Sequence, residues 1–224
     1  IRAGQPEIGI GLILDALESL GISKRTSTAW SALRLLGSTL RKGRKRTARP
    51  VIGGEPFTEI ESCLSRLSSP LTFLENSIGQ ELIASLNKLA EKKGTLKDRS
   101  QAANRTGVIL SFVGRRWRPA AVRQLHYGRQ LAHASGLDSS LAVWNFCMFI
   151  WYIQKGDTGK AIEHGNRSIR RFGMTRERYP WEQQFLRWGI LCCYYHSGQF
   201  HRLRQATAEQ RESVKHRSDP MNLF

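Results

Sequence analysis

Long apolar runs are missing from this chain. The most apolar stretch, Leu141 to Ile153, is interrupted by Asn145, whereas a bilayer-spanning helix needs about 20 apolar residues. That stretch reads as a core helix, and no membrane span is expected. Proline is scarce, at seven in 224 residues, and no segment alternates apolar and polar side chains, which argues against an all-β fold. Cysteine is sparse too. Cys63, Cys147, Cys192 and Cys193 show no spacing of a secreted disulfide frame, and the expected location is cytoplasmic. No charged-then-apolar leader opens the chain, and its start at Ile1 in mid-pattern reads as a piece of something longer.

Chemistry-bearing patterns are equally thin. Gly4, Gly9 and Gly11 are isolated, and no glycine-lysine-serine or glycine-lysine-threonine motif follows an apolar strand, so no phosphate loop is expected. Cys192, Cys193, His196 and His201 lie near one another, but zinc wants two ligand pairs and the second is missing. No serine stands in a glycine-flanked elbow, and His126, His133 and His164 fall on helices without a nucleophile nearby in sequence. The expectation is a non-enzyme with no metal and no cofactor.

Acidic side chains are the remaining shortage: 35 Lys and Arg stand against 18 Asp and Glu, a net charge of +17. Residues 51–100 are balanced, with six basic and seven acidic. The excess sits in residues 1–50, ten against three, and in residues 101–150, six against one. Such a field favours acidic partners without choosing among nucleic acid, anionic lipid and acidic protein faces.

Hydrophobic residues make up 40% of the chain, enough to build a core over this length. Ile8, Leu12, Ala16 and Leu20 share one helical face, and a second helix runs from Ser27 through Trp30, Leu33, Leu36 and Leu40. Arg41, Lys42, Arg44, Lys45, Arg46 and Arg49 follow, then Pro50 and Gly53-Gly54. A charge block followed by breakers is an exposed connector, so a boundary is expected at residue 50, with the basic block as a potential phosphate or lipid-headgroup contact. Beyond it, Phe57, Ile60, Leu64 and Leu67 form one amphipathic face, and Leu82, Ile83, Leu86, Leu89 and Ala90 form another that stops near Gly94.

The spacing then becomes regular. Gly114, Gly156 and Gly198 are 42 residues apart, each after an apolar helix and before a second one. Leu110, Tyr152 and Tyr194 stand four residues before their glycines. Units over 99–135, 138–177 and 181–217 follow, leaving 218–224 as a tail or the start of a further unit. Each helix hairpin exposes an apolar face it cannot bury alone, so neighbours stack. Ala120, Ala121 and Ala161 supply small residues where second helices approach first ones.

Tyr152, Gly156, Asp157, Ala161, Ile169 and Phe172 follow the tetratricopeptide order, and the middle unit resembles a tetratricopeptide repeat. Gly165 and Ser168 depart from the pattern, as does Leu203 at the alanine position of the third unit and the interval beyond the family's usual ~34 residues. Over 55–217 the chain also resembles the helical-repeat portion of large bacterial signalling proteins that join a protein kinase or cyclase to an ATPase module and such repeats. The resemblance implies an all-α solenoid of antiparallel hairpins over 51–217. It implies a regulatory scaffold that binds an acidic peptide, a domain surface, or another part of its parent chain. Arg115, Arg116, Arg118 and Arg123 beside Trp117 are the candidate partner-binding residues. Trp144, Trp151, Trp181 and Trp188 serve either packing or an aromatic groove. A nucleic-acid-binding helical domain, using the basic surface, is the alternative.

Overall fold

The structure, a computed structural model, describes residues 15, 18, 54–74 and 76–215. The expected helices of the first forty residues, the basic connector Arg41–Arg49, the boundary at residue 50 and the tail at 218–224 lie outside the described residues. Among the described residues there are eight α-helices and no strand. They are α1 (Glu59–Leu74), α2 (Asn76–Lys92), α3 (Leu96–Val113), α4 (Arg118–Ser135), α5 (Asp138–Gln154), α6 (Thr158–Met174), α7 (Pro180–His196) and α8 (Phe200–Lys215). The protein is all-α, built from helix pairs packed in chain order.

The 42-residue interval has a structural cause: α3, α5 and α7 begin at Leu96, Asp138 and Pro180. Helices of 16 to 18 residues, not long loops, fill the interval. Their starts are written locally. Thr95 accepts from the Asp98 N–H while the Asp98 carboxylate accepts from the Thr95 N–H, a capping box at the start of α3. Asp157 caps α6 by accepting from the Lys160 N–H, and Pro180 opens α7 where a missing N–H costs nothing.

Gly156 and Gly198 end α5 and α7 in the same way. Both are left-handed, at φ 73° and 70°. The next N–H, of Asp157 or Gln199, reaches back to the carbonyl of Tyr152 or Tyr194 at 3.0 and 2.9 Å, a Schellman closure. Gly114 differs. Its backbone is extended in ψ at φ 132°, and a single 3-10 turn, Arg115–Trp117, carries the chain into α4. The sequence spacing is shared by all three glycines, but the turn is shared by two.

One large apolar core joins α3 to α7, with Leu110, Ala121, Val143, Phe149, Ala161, Phe172 and Leu186 each at 2% exposure or less. Equivalent helix crossings are tied by reversed donors. Ser100 Oγ of α3 donates to the Gly128 carbonyl of α4, and Ser168 Oγ of α6 donates to the Ala142 carbonyl of α5. Counted from the helix starts, Ser100 matches Ala142 and Gly128 matches Ser168. One hydroxyl per crossing serves, whichever helix supplies it.

The α1/α2 hairpin carries a separate small core of Leu64, Leu71, Leu82 and Leu86, with Phe57 and Leu67 against it. Ile60, expected on that face, is 58% exposed. Ile83 of α2 against Ile109 of α3 links this hairpin to the rest.

Candidate functional site

Helix α1 does not lie flush along α3 in the way α3 lies along α5. It crosses the first helices of the stack. Ser65 Oγ accepts from Arg105 Nη1 of α3 at 2.6 Å, Ser69 hydrogen-bonds Glu182 of α7, and the Phe73 ring lies 5.2 Å from Trp181 and 5.0 Å from Phe185 of α7. This crossing leaves a cleft of about 570 Å³ between the α1/α2 hairpin and α3 with α5. Phe73, Ile83, Val108, Ile109, Phe112, Val113, Phe146 and Ile150 supply its apolar lining, and Ser69, Thr72, Gln80, Arg105 and Cys147 the rest. Phe112 and Phe73, at 60% and 49% exposure, mark its open side.

The polar groups beneath the cleft are poorly matched. Arg105 is 5% exposed, and neither Nε nor Nη2 has a hydrogen-bond partner. Glu182, across the same buried region, keeps Oε1 unpartnered. Burial raises the Glu182 carboxyl above the ordinary carboxylate range, with the Arg105 charge pulling against it. Buried polar atoms are nearly always satisfied, so a guanidinium with two unmatched nitrogens in the cleft lining stands out, with Glu182 the carboxyl that feels its charge. Burial pushes the Cys147 thiol up to about 12 despite Arg105.

A second polar network pins the α6–α7 loop onto α3. Lys97 pairs with Glu177 at 2.5 Å, Tyr179 donates to Glu177 at 2.7 Å, and Gln101 donates to the Tyr179 oxygen at 3.1 Å. Burial alone would raise Glu177. The hydrogen bonds from Lys97 and Tyr179, with the charges of Lys97 and Arg66, hold it below its ordinary value.

The sequence-derived residues fall in three places. Arg115 and Arg116 are exposed on the 3-10 turn, directly after the cleft residues Phe112 and Val113. Trp117 packs against the main core, while Arg118 and Arg123 are exposed on α4. Tyr152, Gly156 and Ala161 close the α5/α6 hairpin: the Tyr152 ring stacks on His164 at 5.3 Å, and Ala161 is fully buried. Tyr194 packs on the core beside Gly198. Trp151 is buried and Trp188 is 59% exposed, so the tryptophans divide between packing and surface.

Burial pushes the Cys193 thiol up to about 11, and burial raises Cys192 as well. Among the described residues no three or more His, Cys, Asp and Glu side chains converge on a point that one ion could occupy. Among them, too, no helix is long and apolar enough to cross a membrane. The cleft itself escaped sequence reasoning. Phe112 and Arg105 lie on an ordinary helical stretch, and only the contacts of α1 with both α3 and α7 bring a buried arginine to an apolar opening.

Comparison with protein-family descriptions, curated proteins and solved structures finds no match to this chain.

Proposed function

We propose that this chain is a non-catalytic binding scaffold of divergent tetratricopeptide-like hairpins, holding an acidic peptide segment or domain surface against the face formed by its first helices. The observation that carries this reading is the cleft. It is concave and mostly apolar, has exposed phenylalanines at its mouth, and lies above an arginine with unpartnered donors. Apolar side chains of the partner fill the cleft, and the positive potential of Arg105, Arg115 and Arg116 selects acidic neighbours. In a longer signalling chain the same face suits a neighbouring domain.

The test is fluorescence anisotropy with labelled synthetic helices that combine Leu or Phe at i and i+4 with flanking glutamates, against lysine-flanked and scrambled controls. The expected result is preference for the acidic amphipathic helix and a loss of at least about tenfold, or about 1.4 kcal/mol, in Phe112→Glu. Binding unchanged in Phe112→Glu but abolished in Arg118→Glu with Arg123→Glu would move the site to α4 and overturn this placement.

A second reading, nucleic-acid binding, draws on one specific asymmetry. The second helices α4, α6 and α8 carry eleven Lys and Arg against three acids, whereas α3, α5 and α7 carry four against three. It predicts oligonucleotide affinity that falls steeply with salt.

A further inference from the structure

The cations of the second-helix layer are not evenly spread. Arg129 of α4 and Arg167, Arg170 and Arg171 of α6 surround one hollow of about 450 Å³, with His133 of α4 and Trp144 of α5 in its wall. The hollow is pre-shaped. The Arg129 guanidinium carbon lies 5.1 Å from the Trp144 ring centroid. The Trp144 and His164 rings stand perpendicular with centroids 5.5 Å apart, and His164 Nδ1 is itself 2.9 Å from Asn145 Oδ1. Arg171 is held by Asp138 at 2.5 Å and Arg167 by Glu163 at 2.5 Å. Among the described residues no carboxylate pairs with Arg129 or Arg170.

We propose that this hollow is a binding site for the phosphoanhydride chain of a small ligand. Two uncompensated guanidinium groups, with two more whose acids occupy only part of each fork, call for several negative charges at close spacing. A single phosphate leaves a hollow of this size unfilled. An acidic peptide carries one charge per side chain and must order each one to use them. Linked phosphates deliver the charges on one compact body, and guanidinium forks match phosphate oxygens two at a time. Arg129 is already positioned by Trp144, so little ordering cost remains for it. Inorganic tripolyphosphate and a nucleoside triphosphate share this chemistry. The second adds a base, for which Leu141, Trp144 and the 71%-exposed Met174 are the available apolar contacts.

Isothermal titration of the whole chain with sodium tripolyphosphate and, separately, ATP, at an ionic strength of about 0.15 M, tests this. One-to-one binding is expected, weakened at least about tenfold in Arg129→Gln/Arg170→Gln and by less than about twofold in the α8 control Arg202→Gln/Arg204→Gln. Should the double variant lose its helical circular dichroism, the single exposed Arg170→Gln reads the same effect. Tighter binding of ATP than of tripolyphosphate identifies a nucleotide ligand, and equal binding identifies the phosphate chain alone. No binding at this salt, equal weakening by the α8 control, or equal competition by tetraglutamate or an oligonucleotide would overturn the site.

Discussion

At Gly165, one of the departures from the tetratricopeptide order that the middle unit resembles, the packing refuses even a methyl group without adjustment. A Cβ built there would stand 3.0 Å from Ile190 Cδ1 and 3.1 Å from Phe149 Cδ2, so the missing side chain is what lets α6 nestle between α5 and α7. Gly165→Val should cost about 1–3 kcal/mol through overpacking, read as a lower urea midpoint with unchanged slope. Its chain neighbour His164 links the fold to pH. Burial holds its imidazole below the ordinary value of 6.5, with Arg167 and Arg129 adding to the depression and Glu163 opposing it. The unfolded chain therefore takes up a proton that the folded chain resists. Stability from this group is present above 6.5 and is lost as pH falls through the depressed folded value. Thermal melts between about pH 7 and pH 5 should show a steeper loss in the native chain than in His164→Gln.

Hairpins are the scale at which most of the sequence was readable. Apolar periodicity and the recurring turn glycines marked the hairpins, because a left-handed stop is a local property of Gly156 and Gly198, whereas the caps at Thr95 and Asp157 and the start at Pro180 came from the structure. Gly156→Ala forces a Cβ into φ 73° and should cost about 1–2 kcal/mol, seen as a lower melting temperature, whereas Gly156→Asn should cost less. Gly114→Ala has no such turn to break, although φ 132° still disfavours a side chain. Identical spacing thus concealed two different turns. The reversed hydroxyls, Ser100 in one pair and Ser168 in the next, were hidden for a related reason: each makes sense only against the carbonyl across the crossing.

The molecule as a whole divides unequally. The large core runs from α3 to α7, while α1 and α2 close on their own leucines and meet the rest through Ile83 against Ile109, the Phe73 ring against Trp181 and Phe185, and polar contacts. Leu71→Ala, at a fully buried position of the smaller core, should cost about 2–5 kcal/mol locally. Hydrogen exchange should then rise over 59–92 while 138–174 stays protected; uniform loss of protection would show a single cooperative unit.

The sequence by itself determined that the chain is helical, where the turn glycines Gly156 and Gly198 fall, and that positive charge is in excess. All three are fixed by the order of apolar, capping and charged residues along one strand of chain. Only the tertiary structure decided that α1 touches both α3 and α7, that a buried Arg105 lines an apolar cleft, and that arginines of α4 and α6 share one hollow around Trp144. Those features depend on the angle at which separately formed helices meet, and that angle is set by side-chain volumes brought together from distant positions, Gly165 against Ile190 and Phe149 among them.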